Sequence, residues 1–476
     1  MSTFVLAADP TLGWSATLSS FAGARLRTSN DGAFILDGLV SLRPASIELY
    51  GSNFGAQGAN LLSGAAQVNS VRYTVNGQEV MRLDGAQITG PSLSAWMRGD
   101  GNAFERAAFV GDDLIVLSNS AEQQSGYGGN DAIHGRAGND TLRGDAGNDS
   151  LHGGEGNDLL YGGDGNDLFV GSWGNDSAYG DAGLDVFLTG ALRRQVQLGG
   201  TGATATLSGP EGLDSATQVE RLAFADGILH LDPAGAAGQV WRLYGAAFGR
   251  GAETTGLSNW VVALDAGALT LTDAARGFIG SAEFAGRYGL PDDAGFVSGL
   301  YANVLGRAPD AAGLEAWTAQ LAGGVSRAEV LLGFSESVEY RAATVASTGR
   351  LWTVDSEAMD VLRAYKTVLD RAPDGGGLAS WTAARNGGLA NADMMDAFIN
   401  SAEFQSRFGA LSNEDFVAQM YRVALDRPAD AAGHADWTSK LDSGAIARRD
   451  VVQGFAYSDE MTQKLLPLVT DGIAFS

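Results

Sequence analysis

Between residues 126 and 188 a single apolar residue recurs every nine positions in a background of Gly, Asn and Asp: Ile133, Leu142, Leu151, Leu160, Phe169, Ala178 and Phe187. Two residues before each stands an aspartate: Asp131, Asp140, Asp149, Asp158, Asp167, Asp176 and Asp185. Gly153 to Tyr161 and Gly162 to Val170 fit the template Gly-Gly-x-Gly-x-Asp-x-apolar-x without a departure. The first six positions call for backbone with φ > 0 and close approach, which Gly permits at least cost. The last three read as a short strand with one inward side chain. Two repeats then complete one turn of a right-handed parallel roll, and repeats i and i+2 stack. A stripe one residue wide is too thin to offset the chain entropy of nine ordered residues. Cohesion has to come from ions between the turns, held by Asp carboxylates and backbone carbonyls, and calcium suits a flexible all-oxygen shell.

The pattern changes on either side. Residues 1–110 read as β-rich, with Ser70–Val75 and Gln78–Leu83 flanking Asn76-Gly77 as a type I′ hairpin. Asp112 to Leu117 is either the last strand of that segment or the first of the roll. Residues 189–235 carry short β-type runs and read as a cap. From residue 236 the sequence becomes Ala-rich and helical, with four long repeats. Tyr244, Tyr301, Tyr365 and Tyr421 open them, and Trp260, Trp317, Trp381 and Trp437 follow sixteen residues later. Between lies an Arg-x-Pro-Asp type of turn, as in Arg307 to Asp310, whose Asp caps the next helix. Ser281, Ser337, Ser401 and Ser458 start a further helix with an acid in its first turn. The aromatic residues read as each repeat's core, and the repeated Arg and Asp as a buried ion pair that fixes the turn.

The expected fold class is multidomain β plus α. An N-terminal β-sandwich-like domain (1–110) precedes a right-handed parallel β-roll (111–188), a β cap (189–235) and an all-helical repeat array (236–476).

Charge and composition narrow the chemistry. The net charge is −25, with eleven acids against Arg136 and Arg143 between residues 126 and 188. Such a surface disfavours nucleic acid and anionic membranes and favours divalent cations. Cysteine is absent, which excludes disulfides and thiol chemistry. No apolar run reaches the ~18 residues of a membrane span, and the first ten residues lack a signal peptide's basic start. His134, His152, His230 and His434 are the only histidines. They form no His-Glu-x-x-His motif, and no Gly-x-Ser-x-Gly elbow occurs.

The nonapeptide resembles that of the repeat-in-toxin (RTX) family, where it is a calcium signature. The resemblance implies metal ligation by Asp131, Asp140, Asp149, Asp158, Asp167, Asp176 and Asp185. It extends the set to Gly138, Gly147, Gly156 and Gly165, and to Asn139, Asn148, Asn157 and Asn166. Seven repeats offer 7 − 2 slots between stacked turns, so about five calcium ions are expected. Tyr127, Arg136, Asp145, Ser172 and Asp181 replace the second Gly and weaken the array towards its ends.

The resemblance also implies secretion through a type I exporter, directed by an uncleaved C-terminal signal within Leu465 to Ser476. The helical segment resembles an uncharacterised bacterial domain common in RTX proteins and similar in motif to phycobilisome-linker repeats. The function expected is that of a secreted calcium-binding protein that displays the helical array for extracellular binding or assembly. Its partners would be a matrix or cell-surface polysaccharide or further copies of itself. The alternative is an extracellular hydrolase with an unfamiliar site in the N-terminal domain.

Overall fold

The computed structural model describes residues 109, 111–117, 119–201, 203–289 and 291–475, and before them the backbone of six strands between residues 2 and 89. The chain divides into two compact units, one of residues 1–190 and 196–222, the other of residues 191–195 and 223–476.

In the first unit, strands Arg25–Thr28, Phe34–Val40, Arg43–Ser52, Gln67–Val75 and Gln78–Thr89 follow one another in antiparallel order. Val75 faces Gln78 across the Asn76-Gly77 turn, where the alternation predicted a hairpin. Strand Ser2–Leu6 pairs with Gln78–Thr89 and, on its other edge, runs parallel to Asp113–Val116. Asp113–Val116 in turn pairs with Ala132–Ala137, so it opens the roll while bordering the N-terminal sheet. The N-terminal side chains, where a hydrolase site was the alternative, lie outside the described residues.

The roll consists of two parallel sheets whose strands alternate along the chain. Ala132–Ala137, Ser150–Glu155, Leu168–Trp173 and Val186–Leu188 stack in one, and Gln123–Ser125, Thr141–Ala146, Leu159–Asp164 and Ser177–Ala182 in the other. The register puts like on like, eighteen residues apart. Ile115, Ile133, Leu151, Phe169 and Phe187 form one buried column, and Leu142, Leu160 and Ala178 another. Each nonapeptide thus buries one side chain, worth about 1.5–3 kcal/mol. Ordering nine residues costs on the order of 10 kcal/mol. The apolar column fixes register and cannot by itself hold the stack.

After the seventh repeat, Gln197–Gly199, Thr204–Ser208 and Leu213–Thr217 form an antiparallel meander, and its last strand returns parallel to Ser177–Ala182.

Among the described residues the second unit contains sixteen α-helices, and in it strand Gly227–His230 pairs antiparallel with Leu351–Val354. The opening helix of each repeat is Ala236–Phe248, Asp293–Leu305, Ser356–Ala364 (extended by a π turn to Leu369) and Asn413–Leu425. Each ends on a residue in the left-handed region: Gly249, Gly306, Asp370 or Asp426. Asp310, Asp374 and Asp430 then cap the next helix by accepting from Gly313, Gly377 and Gly433 N. Those glycines are obligatory for a second reason: a Cβ on any of them would lie 2.2–2.3 Å from the hydroxyl of Tyr301, Tyr365 or Tyr421. The four Tyr rings are buried and meet Phe278, Phe334, Phe398 and Phe455 edge-on, and the partly buried Trp rings lean on the same Phe. The aromatics are the core, as the spacing predicts.

The repeated Arg pairs with the turn acid as expected, Arg371 with Asp374 at 3.8 Å, Arg427 with Asp430 at 3.7 Å and Arg250 with Glu253 at 2.6 Å, but the pair is partly exposed where a buried one was expected. Arg250, Arg371 and Arg427 are partly exposed and reach forward to Glu283, Glu403 and Glu460 with two hydrogen bonds each. Turn and Ser-capped helix are thereby clamped together, while the Asp keeps its capping role.

Repeats one and two share one hydrophobic core, and repeats three and four another. Within the first pair Arg242, almost wholly buried, donates to Glu336 Oε1 at 2.9 Å and Oε2 at 2.6 Å. At the equivalent place in the second pair, Arg363 lies over the Tyr457 ring at 5.1 Å.

Candidate metal centre

The seven aspartates of the roll are buried, none more than 2 % exposed. In each, Oδ1 accepts an amide hydrogen from the aspartate-position residue one turn earlier. Asp131 N donates to Asp149 Oδ1 at 2.7 Å, and Asp140, Asp149, Asp158 and Asp167 N repeat the contact at 2.8 Å. The other oxygen, Oδ2, is buried and has no hydrogen-bond partner in Asp131, Asp140, Asp149, Asp158, Asp167, Asp176 and Asp185 alike. A buried, unpaired carboxylate oxygen costs several kcal/mol. Seven of them at a fixed spacing make a row of candidate cation ligands.

Glycine makes the space. A Cβ on Gly135 would lie 2.5 Å from Asp140 Oδ2 and 2.5 Å from Gly153 O of the next turn. Gly126 and Gly180 repeat the arrangement. The fourth-position residues Gly138, Gly147, Gly156 and Gly165 have φ between 131° and 139°. Their carbonyls press against the next turn so closely that a Cβ on Gly156 would fall 1.5 Å from Gly138 O. Carbonyl oxygens therefore line the gap between turns together with the aspartates.

Among the described residues, no three His, Asp or Glu side chains converge on one point. A slot between turns can supply two carboxylates at most and must draw the rest of its shell from the backbone. Such an oxygen set fits a hard cation of high coordination number and is wrong for zinc or copper.

Protonation tells the same story. Burial pushes the carboxyls of Asp131, Asp140, Asp176 and Asp185 up to about 7 and that of Asp149 up to about 6. The accepted amide opposes the shift, and acidic neighbours such as Asp149 beside Asp131 add to it. Asp158 and Asp167 shift in the same direction through burial. Without a cation, the folded stack therefore favours the protonated form of these carboxyls and disfavours the charged one.

Asn139, Asn148, Asn157 and Asn166 use Oδ1 to accept from the next turn's amide, on Asn157, Asn166, Asn175 and Leu184 respectively. They are the rails of the stack, on its exposed edge. The sequence also missed rungs beyond the repeats. Asp113 N and Glu122 N donate to Asp131 and Asp140 Oδ1 at the start, and Asp214 Oδ1 and Glu220 Oε2 accept from Asp176 and Asp185 N at the end. Asp113 was legible, two residues before Ile115. Asp214 was hidden by the twenty residues inserted before its repeat.

The histidines have structural partners. His134 and His152 stack on each other at 4.4 Å on the outside of the roll, His230 Nε2 lies 2.9 Å from Thr353 Oγ1, and His434 Nε2 lies 3.1 Å from Glu414 O.

Fold and site together define a cation-binding parallel β-roll joined to an array of helical repeats. Residues 125–160 and 152–187 match the RTX calcium-binding nonapeptide repeat. Residues 238–288, 275–344, 356–408 and 395–465 match the Domain of unknown function (DUF4214). The chain thus carries RTX calcium-binding repeats followed by a DUF4214 array. A search of curated proteins finds no match. No helix among the described residues is long and apolar enough to cross a membrane.

Proposed function

We propose that this protein works outside the cell as a calcium-folded display scaffold, exported unfolded through a type I exporter. The observation that carries this reading is the row of seven buried, unpartnered Asp Oδ2 atoms. In calcium-poor surroundings seven closely stacked carboxylates oppose one another and the thin apolar column cannot compensate, so the roll stays open. Millimolar calcium closes it. Asp131, Asp140, Asp149, Asp158, Asp167, Asp176 and Asp185 supply the charged oxygens, and carbonyls of Gly138, Gly147, Gly156, Gly165 and their neighbours complete the shells. About five ions fill the slots among the seven repeats.

The helical array then serves as the working surface of a matrix, surface-layer or adhesin component, with polysaccharide or further copies of the chain as partner. Its aromatic residues are spent on the core, so recognition falls to its acidic outer faces and the turns between repeats. Equilibrium dialysis against calcium, followed by pull-down on matrix polysaccharide with and without chelator, tests both halves. About five ions with calcium-dependent retention supports the reading. No uptake at millimolar calcium overturns it, and uptake without retention or self-association overturns the display half.

A further inference from the structure

We infer that Gly209–Thr217 is a displaced eighth calcium repeat, and that Asp176 and Asp214 face one another across a further calcium slot. This rests on the reading that the roll binds calcium, and it extends that binding beyond the residues that match the repeat family.

The segment reads Gly209-Pro210-Glu211-Gly212-Leu213-Asp214-Ser215-Ala216-Thr217, with Gly, Asp and an apolar residue at the fourth, sixth and eighth places. It returns to the roll after an insertion, in a register of 38 residues where the array uses 18. From the third position of the segment onward the contacts of a regular turn recur, although Gly209–Gly212 also closes an antiparallel hairpin with the preceding strand. Gly174 N donates to Glu211 O at 2.9 Å, as Gly156 N does to Trp173 O at 2.8 Å. Leu213 N donates to Asn175 Oδ1, Asp176 N to Asp214 Oδ1 and Ser215 N to Asp176 O. Ala216 continues the buried column below Ala178.

Two observations separate this turn from a merely similar loop. The approach at the fourth position is as tight as in mid-array: a Cβ on Gly212 would lie 1.5 Å from Gly174 O, with φ at 153°. At the other end of the roll the equivalent approach is slack, 2.6 Å from Gly138 to Ser120 O and 2.7 Å from Gly129 to Gly111 O. Independently, Asp176 is 1 % exposed and its Oδ2 has no partner. That oxygen stands 2.4 Å from where a Gly171 Cβ would be, the place that faces the following turn at Gly126, Gly135 and Gly180. The following turn here is Gly209–Asp214.

The turn departs from the template at one place, Pro210, which cannot adopt the left-handed backbone of a second-position residue. Glu211 closes that rim instead, accepting from Thr189 Oγ1 and from Gly190 N. Because no short covalent link joins Leu188 to Gly209, a cation shared by Asp176 and Asp214 would be what clasps the meander to the last turn.

The test is Asp214→Asn in the full chain, which keeps an oxygen for Asp176 N and removes the charge. Calcium is counted by equilibrium dialysis, and hydrogen exchange is followed over residues 204–217 and 132–170. The expected result is one ion fewer than wild type and, in saturating calcium, at least tenfold faster exchange at 204–217 with 132–170 unchanged. Asp158→Asn serves as comparison, since it should lose calcium with faster exchange centred in the array. An unchanged ion count in Asp214→Asn, with wild type binding calcium normally, overturns the eighth repeat alone. Absence of calcium from wild type overturns the reading on which it rests.

Discussion

At each aspartate of the roll, one carboxylate oxygen holds the stack together and the other is buried without a hydrogen-bond partner, so on the proposed reading protons and calcium compete for the same atom. The pH dependence follows by sign. An unfolded aspartate titrates near 4, while Asp131, Asp140, Asp176 and Asp185 titrate at about 7 in the metal-free fold. The folded state therefore binds more protons between these values. Metal-free roll loses stability as pH rises from about 4 to about 7. Calcium affinity runs the other way, falling about tenfold per pH unit below 7 for each proton displaced. Calorimetry at pH 5.5 and pH 8 in buffers of different ionisation enthalpy should show tighter binding at pH 8 and proton release near pH 6–7. A pH-independent affinity would contradict it.

The glycines make a second prediction at this scale. Gly156→Ala combines a disfavoured backbone, about 1–2 kcal/mol, with overlap on Gly138 O, about 1–3 kcal/mol. Denaturation in saturating calcium should show a loss of about 3 kcal/mol. The second-position substitutions are milder. Tyr127, Arg136, Asp145, Ser172 and Asp181 sit at φ 67–75°, inside the region that L residues can reach, which is why the array tolerates five of them.

Among the elements, the helical repeats show what a sequence pattern carries and where it stops. The Tyr-to-Trp interval, the Asp cap and the Ser cap are local, and each was legible because its partners lie within a few turns of helix. The Arg–Glu clamps span 32–33 residues, and the pairing of repeats one with two and three with four depends on contacts such as Arg242 with Glu336, 94 residues apart. No periodicity encodes such distances. In the roll the reverse holds: an 18-residue register is fixed by the repeat itself, and the rungs that escaped it lie outside the repeats, as the displaced Asp214 and Glu220 do. Burial decides what these ion pairs contribute. Arg242→Ala leaves Glu336 half-buried without its partner and should cost about 3–5 kcal/mol in the helical unit. Arg427→Ala removes a solvent-screened clamp and should cost far less. Thermal unfolding of the two variants checks the ranking, and equal losses would contradict it.

Over the whole molecule, the proposed export route and the folded state make opposite demands on the same tail. Leu465, Val469 and Ile473 are fully buried in the helical unit. Ile473 N donates to Asp226 Oδ2 at 2.7 Å, and Gly472 O accepts from Arg194 Nε at 3.0 Å. An exporter that reads this tail must do so before the unit folds. The folded protein should accordingly resist carboxypeptidase, with rapid trimming past Ile473 only in denaturant, and trimming at equal rates in both would contradict the tail's burial.

Calcium-coupled folding remains the centre of the account, and its most direct test is calcium titration of the chelated chain, followed by circular dichroism and particle size together. The account predicts a cooperative gain of β signal at millimolar calcium or below, over a helical signal contributed by the repeats. A β signal that is complete in chelator and unmoved by calcium would contradict it.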